Sequence, residues 1–226
     1  MTHATSDKGN FLAHFYSSHQ VPPEAIEHFR SQPWLHQYLD DPSYRAPSLQ
    51  FRVLKDTGED FFFARTIATP TTIPHILCLN RRTIVTPPEL PAGTLIPVNE
   101  SRKPAEVPGG QPDCIFLINL AGPAIDGHPH VCHGGIVASI LDEAIGMVTM
   151  LHTEKENGLR ELFYTVNLNV TYRAPVTTPS NVIVRCWLKA RQGRKYIALG
   201  QIVDKDGVVL SEAQGTWVLA KKRENL

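Results

Sequence analysis

The chain has 226 residues, 42% of them apolar and 19% charged, enough for one large domain or a domain with an appendage. Its 22 Lys and Arg balance 22 Asp and Glu, which excludes a net field drawing it to nucleic acid or to an acidic membrane surface. No uninterrupted apolar run approaches the roughly 20 residues that span a bilayer; the longest, within 136–151, is broken by Ser139, Asp142 and Glu143.

In chain order, Met1 to Asn10 is polar and lacks the apolar stretch of a secretory signal. No Arg precedes Arg30, so the expected location is the cytoplasm, with the mitochondrion as the alternative. Residues 1–45 read as a helical extension. Phe11, Leu12 and Phe15 make a first apolar patch, and Pro22-Pro23 opens a second helix with Ile26, Phe29 and Leu35 as its apolar positions. This part is expected to be a solvated helical arm.

Residues 46–221 form the main domain and 222–226 a tail. Within the domain, 59–68 is rich in aromatic and β-branched side chains and predicts a strand, as does 75–80. The Pro-rich stretch 83–112 reads as a long surface insertion. Strand character resumes at 114–120. A helix is predicted over Gly134–His152, followed by strands at about 162–173, 181–191, 195–204 and 208–219. Asp206-Gly207 reads as a tight hairpin turn, and Gly193 marks another. Strands joined by short turns make an antiparallel sheet. One long helix and one long sheet must bury their apolar faces on each other, so the fold class is α+β. The four cysteines, Cys78, Cys114, Cys132 and Cys186, lack a repeating spacing and read as reduced thiols of an intracellular protein.

The predicted helix is apolar on most sides, as a buried helix should be. Along one stripe Gly135, Ala138, Ser139, Asp142, Gly146 and Thr149 recur at helical spacing and are small or polar. A buried Asp needs either a partner or a chemical role. At the helix start, Gly134-Gly135 lets the backbone approach a ligand, and the unpaired N–H groups of the first turn suit a polarised carbonyl or an oxyanion. Gly134 and Asp142 are eight positions apart, or about 12 Å along the axis. If both act on the same reacting atoms, the second group must come from another subunit. A two-fold dimer with two composite sites is therefore expected.

Together, His133-Gly134-Gly135, Asp142-Glu143-Ala144 and Gly146 resemble the signature of hotdog thioesterases of the phenylacetic-acid-pathway type. Thr165 to Pro175 resembles the strand that follows the helix in that family, and Gln192 to Lys195 its next hairpin. The resemblance covers roughly residues 112–221. It implies a curved antiparallel sheet wrapped around the helix, dimeric or tetrameric, and hydrolysis of an acyl-CoA or acyl-carrier thioester. It implies Asp142 as general base or nucleophile, Gly134 as oxyanion donor, His133 as the conserved His of the turn, and Thr165 holding the water or the Asp. No metal and no cofactor is implied. Some relatives carry Asn or Gln about six residues before the His, where this chain has Gly127 beside Asp126.

Other residues are candidate substrate contacts. Gly135 can donate a second N–H. Glu143 is the rival carboxylate. Asn167 shares a strand face with Thr165, Asn169 and Thr171, opposite Tyr164, Val166, Leu168, Val170 and Tyr172. Arg191, Arg194 and Lys195 cluster at a hairpin, where they could meet the phosphates of coenzyme A. His128, His130, Cys132 and His133 are dense but fit no zinc spacing. Two further readings stay open: a hotdog hydratase or dehydratase, and a non-catalytic acyl-CoA-binding protein.

Overall fold

Pro22 and Pro23 sit at the N-cap and first position of α1 (Pro23–Arg30), where their fixed φ fits and no N–H is missed. The computed structural model that shows this describes residues 18–55, 58–153 and 161–220. The apolar patch at Phe11, Leu12 and Phe15 and the tail 222–226 lie outside the described residues. A short 3-10 turn (Pro33–Leu35) and α2 (His36–Leu39) follow α1. The solvated arm is corrected: Phe29 and Leu35 are fully buried against Leu77, Leu79, Ile115, Leu117 and Ile183 of the sheet. Ala25 and Phe29, with Ile26 partly buried beside them, are the face that α1 buries.

The strand expected at 59–68 is also corrected. Phe62–Thr66 forms a π-helical turn. A strand would bury alternate residues, yet here Phe63, Ala64 and Ile67 are buried while Phe61 and Phe62 are exposed. Phe63 packs edge-on to Phe51, which stacks on Phe116. The three rings hold this segment on the core.

Among the described residues eight strands and one long helix follow: β1 (Ile76–Asn80), β2 (Cys114–Leu120), β3 (Asp126–His128), β4 (Val131–Cys132), then α3 (Gly134–Thr153), β5 (Phe163–Tyr172), β6 (Ser180–Gln192), β7 (Lys195–Val203) and β8 (Val209–Leu219). Six of them make one antiparallel sheet in the order β1-β2-β6-β7-β8-β5, and β3-β4 is a separate pair. In the β7–β8 turn, the Asp204 carboxylate accepts the N–H groups of Asp206 and Val208, and Gly207 adopts φ +79°.

The sheet wraps α3. Leu141, Ala144, Ile145 and Val148 of the helix are fully buried among Phe116, Val184, Cys186, Ala198 and Ile202 of the inner sheet face. This is the hotdog arrangement. By length and composition α3 could cross a membrane. Its enclosure by the sheet makes it the core helix instead, and its runs of apolar residues are the buried faces.

The outer face has two covers. The α1–α2 region lies over β1, β2 and β6. The Pro-rich 83–112 segment lies over β6 to β8: Lys189 donates to the Pro97 carbonyl, Gln201 to that of Ala105, and Glu212 accepts from Asn99 and from the Ala105 N–H. Arg173 closes this network, bonding Glu212 and the carbonyls of Ser101 and Arg102. The four described cysteines are free and buried.

Candidate active site

α3 begins with a side-chain cap. The Nδ1 of His133 accepts the Gly135 N–H at 2.9 Å, and the His133 carbonyl accepts the Ile136 and Val137 N–H groups. The Gly135 N–H is thereby used within the helix turn. The Gly134 N–H has no partner among the described residues, which leaves it as the donor available to a ligand. Tyr172 fixes it from behind: its hydroxyl donates to the Gly134 carbonyl at 2.8 Å, and its ring lies at ordinary contact distance, 3.5 Å, from where a Cβ at 134 would be. Gly127 fits against the other side of His133, where a Cβ would come within 3.0 Å of the ring.

Two turns further along α3, Asp142 is half-buried. Thr165 of β5 donates to its Oδ1 at 3.0 Å. Burial raises the Asp142 carboxyl above its ordinary value, and the Thr165 hydrogen bond opposes that rise without cancelling it. A raised pKa makes the carboxylate a better proton acceptor near neutral pH.

Asp142 opens into a cavity of about 240 Å³. Glu143, Gly146, Met147, Thr149 and Met150 of α3 form one side, and Phe163, Thr165 and Trp217 of the sheet another. Residues of the 51–60 segment, chiefly Lys55, Glu59 and Asp60, complete it. Along the small-residue stripe of α3, the His133 ring packs on Gly135 and the Trp217 indole on Gly146. Asp142, Gly146 and Thr149 are the stripe positions that line the cavity.

The strand-face reading needs correction. β5 carries a bulge between Thr165 and Asn167 in its pairing with β8. One extra residue flips every side chain beyond it. Thr165 therefore faces the helix while Asn167 is exposed, and Leu168 and Val170 join the core. Tyr172 moves to the helix side, where it reaches Gly134. Asn169 and Thr171 lie on the outer side with Asn99 and Glu212.

The basic cluster is not gathered at Asp142. Arg191 lies 3.8 Å from Glu89 and donates to the Pro87 carbonyl, so the Pro-rich segment engages it. Arg194 donates to the Leu219 carbonyl. Lys195 pairs across β8 with Val218, next to Tyr164 of β5, with Tyr196 alternating into the core. Lys195 thus points from the outer face of the sheet, away from Asp142. The His128 to His133 run is dispersed: Cys132 is buried and His133 caps the helix.

Comparison with known proteins bears on this geometry. Residues 130–211 match the family model of the thioesterase superfamily. The matched segment is about a third of the chain. It contains His133, Gly134, Asp142 and Thr165; β1, β2 and the 51–60 wall of the cavity lie before it. The chain is similar to the acyl-coenzyme A thioesterase THEM4 of Bos taurus, 30% identical over 106 residues, 46% of this chain and 39% of that protein. The chain therefore spans well under half the length of that relative. It is also similar to the verlamelin biosynthesis protein B of a Lecanicillium species, 23% identical over 71% of this chain and 73% of the other. Among solved structures, the E. coli PaaI protein from the phenylacetic acid degradation operon aligns over 48% of this chain and 72% of its own, with 13% identity and a TM-score of 0.41.

Sequence reasoning missed Tyr172 as a support of the helix turn at Gly134, because a regular strand puts it on the wrong face. Lys55 and Asp60 were missed because nothing local marks a loop residue as a cavity wall. The order of Phe61, Phe62 and Phe63 was the one available signal that this segment enters the core.

Proposed function

We propose that the protein hydrolyses acyl thioesters, carried on coenzyme A or on an acyl-carrier domain, to the free acid and thiol. The observation that carries this reading is the half-buried Asp142, held by Thr165 at the mouth of a cavity and kept above its ordinary pKa. In this mechanism the Gly134 N–H and the positive end of α3 polarise the thioester carbonyl. Asp142 activates water or attacks the carbonyl itself. His133 positions the donor by capping the turn and holding the neighbouring N–H. Glu143 and Asn167 contact substrate from the helix and the strand edge.

Gly134 and Asp142 of one chain are about 12 Å apart along α3, too far for one carbonyl. We therefore infer a homodimer, or a tetramer built from such dimers, in which Gly134 of one protomer works with Asp142 of its partner. The exposed Tyr164 and Val166 on edge strand β5 supply apolar surface for that contact. The proposed location is cytoplasmic.

The test is Asp142→Asn, assayed on a panel of acyl-CoAs by release of free thiol. The expected loss is about 10²- to 10⁴-fold in kcat, the usual contribution of a positioned general base. Activity within a few-fold of wild type sinks the assignment.

A further inference from the structure

The cavity beside Asp142 has a wall that the thioesterase domain does not supply. Lys55 and Asp60 form an ion pair on the segment preceding the domain, and both line the cavity. Their side chains are only 20% and 13% exposed. An aliphatic tail laid against such a pair would remove its remaining water without returning a hydrogen bond, which is costly. A hydroxyl on the tail replaces that water in kind: it accepts from an ammonium and donates to a carboxylate.

Charge narrows the ligand further. Besides Asp60, the carboxylates of Glu59, Asp142, Glu143 and Glu161 line the same cavity, with Lys55 the one lysine among its described lining residues. An anionic acyl terminus would meet like charge there. The volume of about 240 Å³ is below the range of about 300–1,000 Å³ that holds drug-sized ligands. It accepts a short acyl group or the thioester-proximal part of a longer one.

Resting on the thioesterase reading above, we infer that the enzyme selects neutral, hydroxyl-bearing acyl groups over plain and carboxylated ones, with the Lys55–Asp60 pair as the specificity-determining contact. The hydroxyl bonds to the pair while the thioester carbonyl lies at Asp142. The N-terminal segment thus sets the acyl preference of a catalytic domain that begins some 70 residues later in the chain.

The experiment measures kcat/KM of the full-length protein for three thioesters of matched length: ω-hydroxyhexanoyl-CoA, heptanoyl-CoA and adipoyl-CoA. Wild type is compared with Lys55→Met and Asp60→Asn. Expected is a preference of about tenfold or more for the hydroxylated substrate over each of the others, collapsing toward unity in both variants. A wild-type enzyme that prefers heptanoyl-CoA or adipoyl-CoA overturns the inference and leaves the thioesterase reading standing. So does a preference that Lys55→Met or Asp60→Asn leaves unchanged. A wild-type protein inert toward all three overturns both. If neither variant folds, the wild-type ratios alone decide.

Discussion

The Thr165 hydroxyl donates to Asp142 Oδ1 at 3.0 Å, so β5 reaches across to fix one oxygen of the helix carboxylate, and both residues line the cavity. This bond lowers the pKa that burial raises. Removing it in Thr165→Val should push the Asp142 pKa higher still. The acidic limb of the kcat/KM profile should then move to higher pH, and Thr165→Ser should restore it. A Thr165→Val profile with an unmoved limb would mean that Asp142 is not the group the profile reports.

Asp142 also has a stability consequence. Its folded pKa lies above its unfolded one, so the fold favours the protonated carboxyl. Stability from this group is full below the unfolded value and is lost as pH rises toward the folded value. At neutral pH the ionised Asp142 is a net burden. Asp142→Asn keeps an acceptor for Thr165 and removes the charge. Thermal melts should show Tm equal to or above that of wild type at pH 7, and the advantage should shrink as pH falls below the carboxyl range. At this chain length each 1 kcal/mol corresponds to about 2–4 °C.

Glu212 behaves in the opposite sense. Burial pushes its carboxyl up, but hydrogen bonds from Arg173, the Ala105 N–H, Gln201 and Asn99 outweigh that and hold it below its ordinary value. Its contribution is present above the unfolded pKa and is lost as pH falls through the folded one. The Glu212 and Arg173 side chains are only 4% and 9% exposed. Glu212→Gln leaves the arginine uncompensated, and urea denaturation should show a loss of about 3–5 kcal/mol. Limited proteolysis should cut within 83–112 sooner than in wild type.

The approach of α3 to β7 depends on Gly200. A Cβ there would lie 2.7 Å from Ile145 Cγ1 and 3.4 Å from Leu141 Cδ2, and both side chains are fully buried. Gly200→Ala should cost about 1–3 kcal/mol by overpacking, read from the denaturation midpoint. Gly146 faces the flat Trp217 indole at 3.4 Å, an ordinary contact, so Gly146→Ala should be the milder of the two.

The composite site makes a prediction that no single-chain site shares. Pro is tolerated at the first helical position and lacks an N–H, so Gly134→Pro deletes the proposed oxyanion donor with the turn kept. Gly134→Pro and Asp142→Asn should each be nearly inactive. Refolded together in equal amounts, they should recover about a quarter of wild-type activity, because half the dimers are mixed and each mixed dimer has one intact site. A mixture as inactive as its parents would mean that both groups serve one chain.

β1, β2, α3 and β5 to β8 were legible because their patterns are local, whereas the short pair β3–β4 was not read from the sequence. Alternation in 181–191 and 195–204, turns at Gly193 and Asp206-Gly207, and an apolar stretch after Gly134-Gly135 each reflect a period that burial on one sheet face or around one helix imposes. The bulge at Thr165 to Asn167 was not legible, since the residue left over is chosen by pairing with β8. That one slip changed the assignment of Asn167 and Tyr172. The π-helical turn at Phe62–Thr66 was hidden for a similar reason. Its aromatic composition suits a strand, and only the stacking of Phe51 and Phe63 on Phe116 selects the helical form.

By itself the sequence determined the long helix, the antiparallel sheet, and the pairing of a capped Gly134 turn with an Asp eight residues later. Those depend on residue type and spacing along a few turns of chain. Tertiary structure decided which side chains share the space beside Asp142. Thr165, Trp217, Lys55 and Asp60 come from separate parts of the chain, and only the wrapping of the sheet around α3 brings them within reach of one carboxylate. These residues lie 23 to 87 positions from Asp142 and have no local period to betray them, so their burial and charge can be read only once the chain is folded.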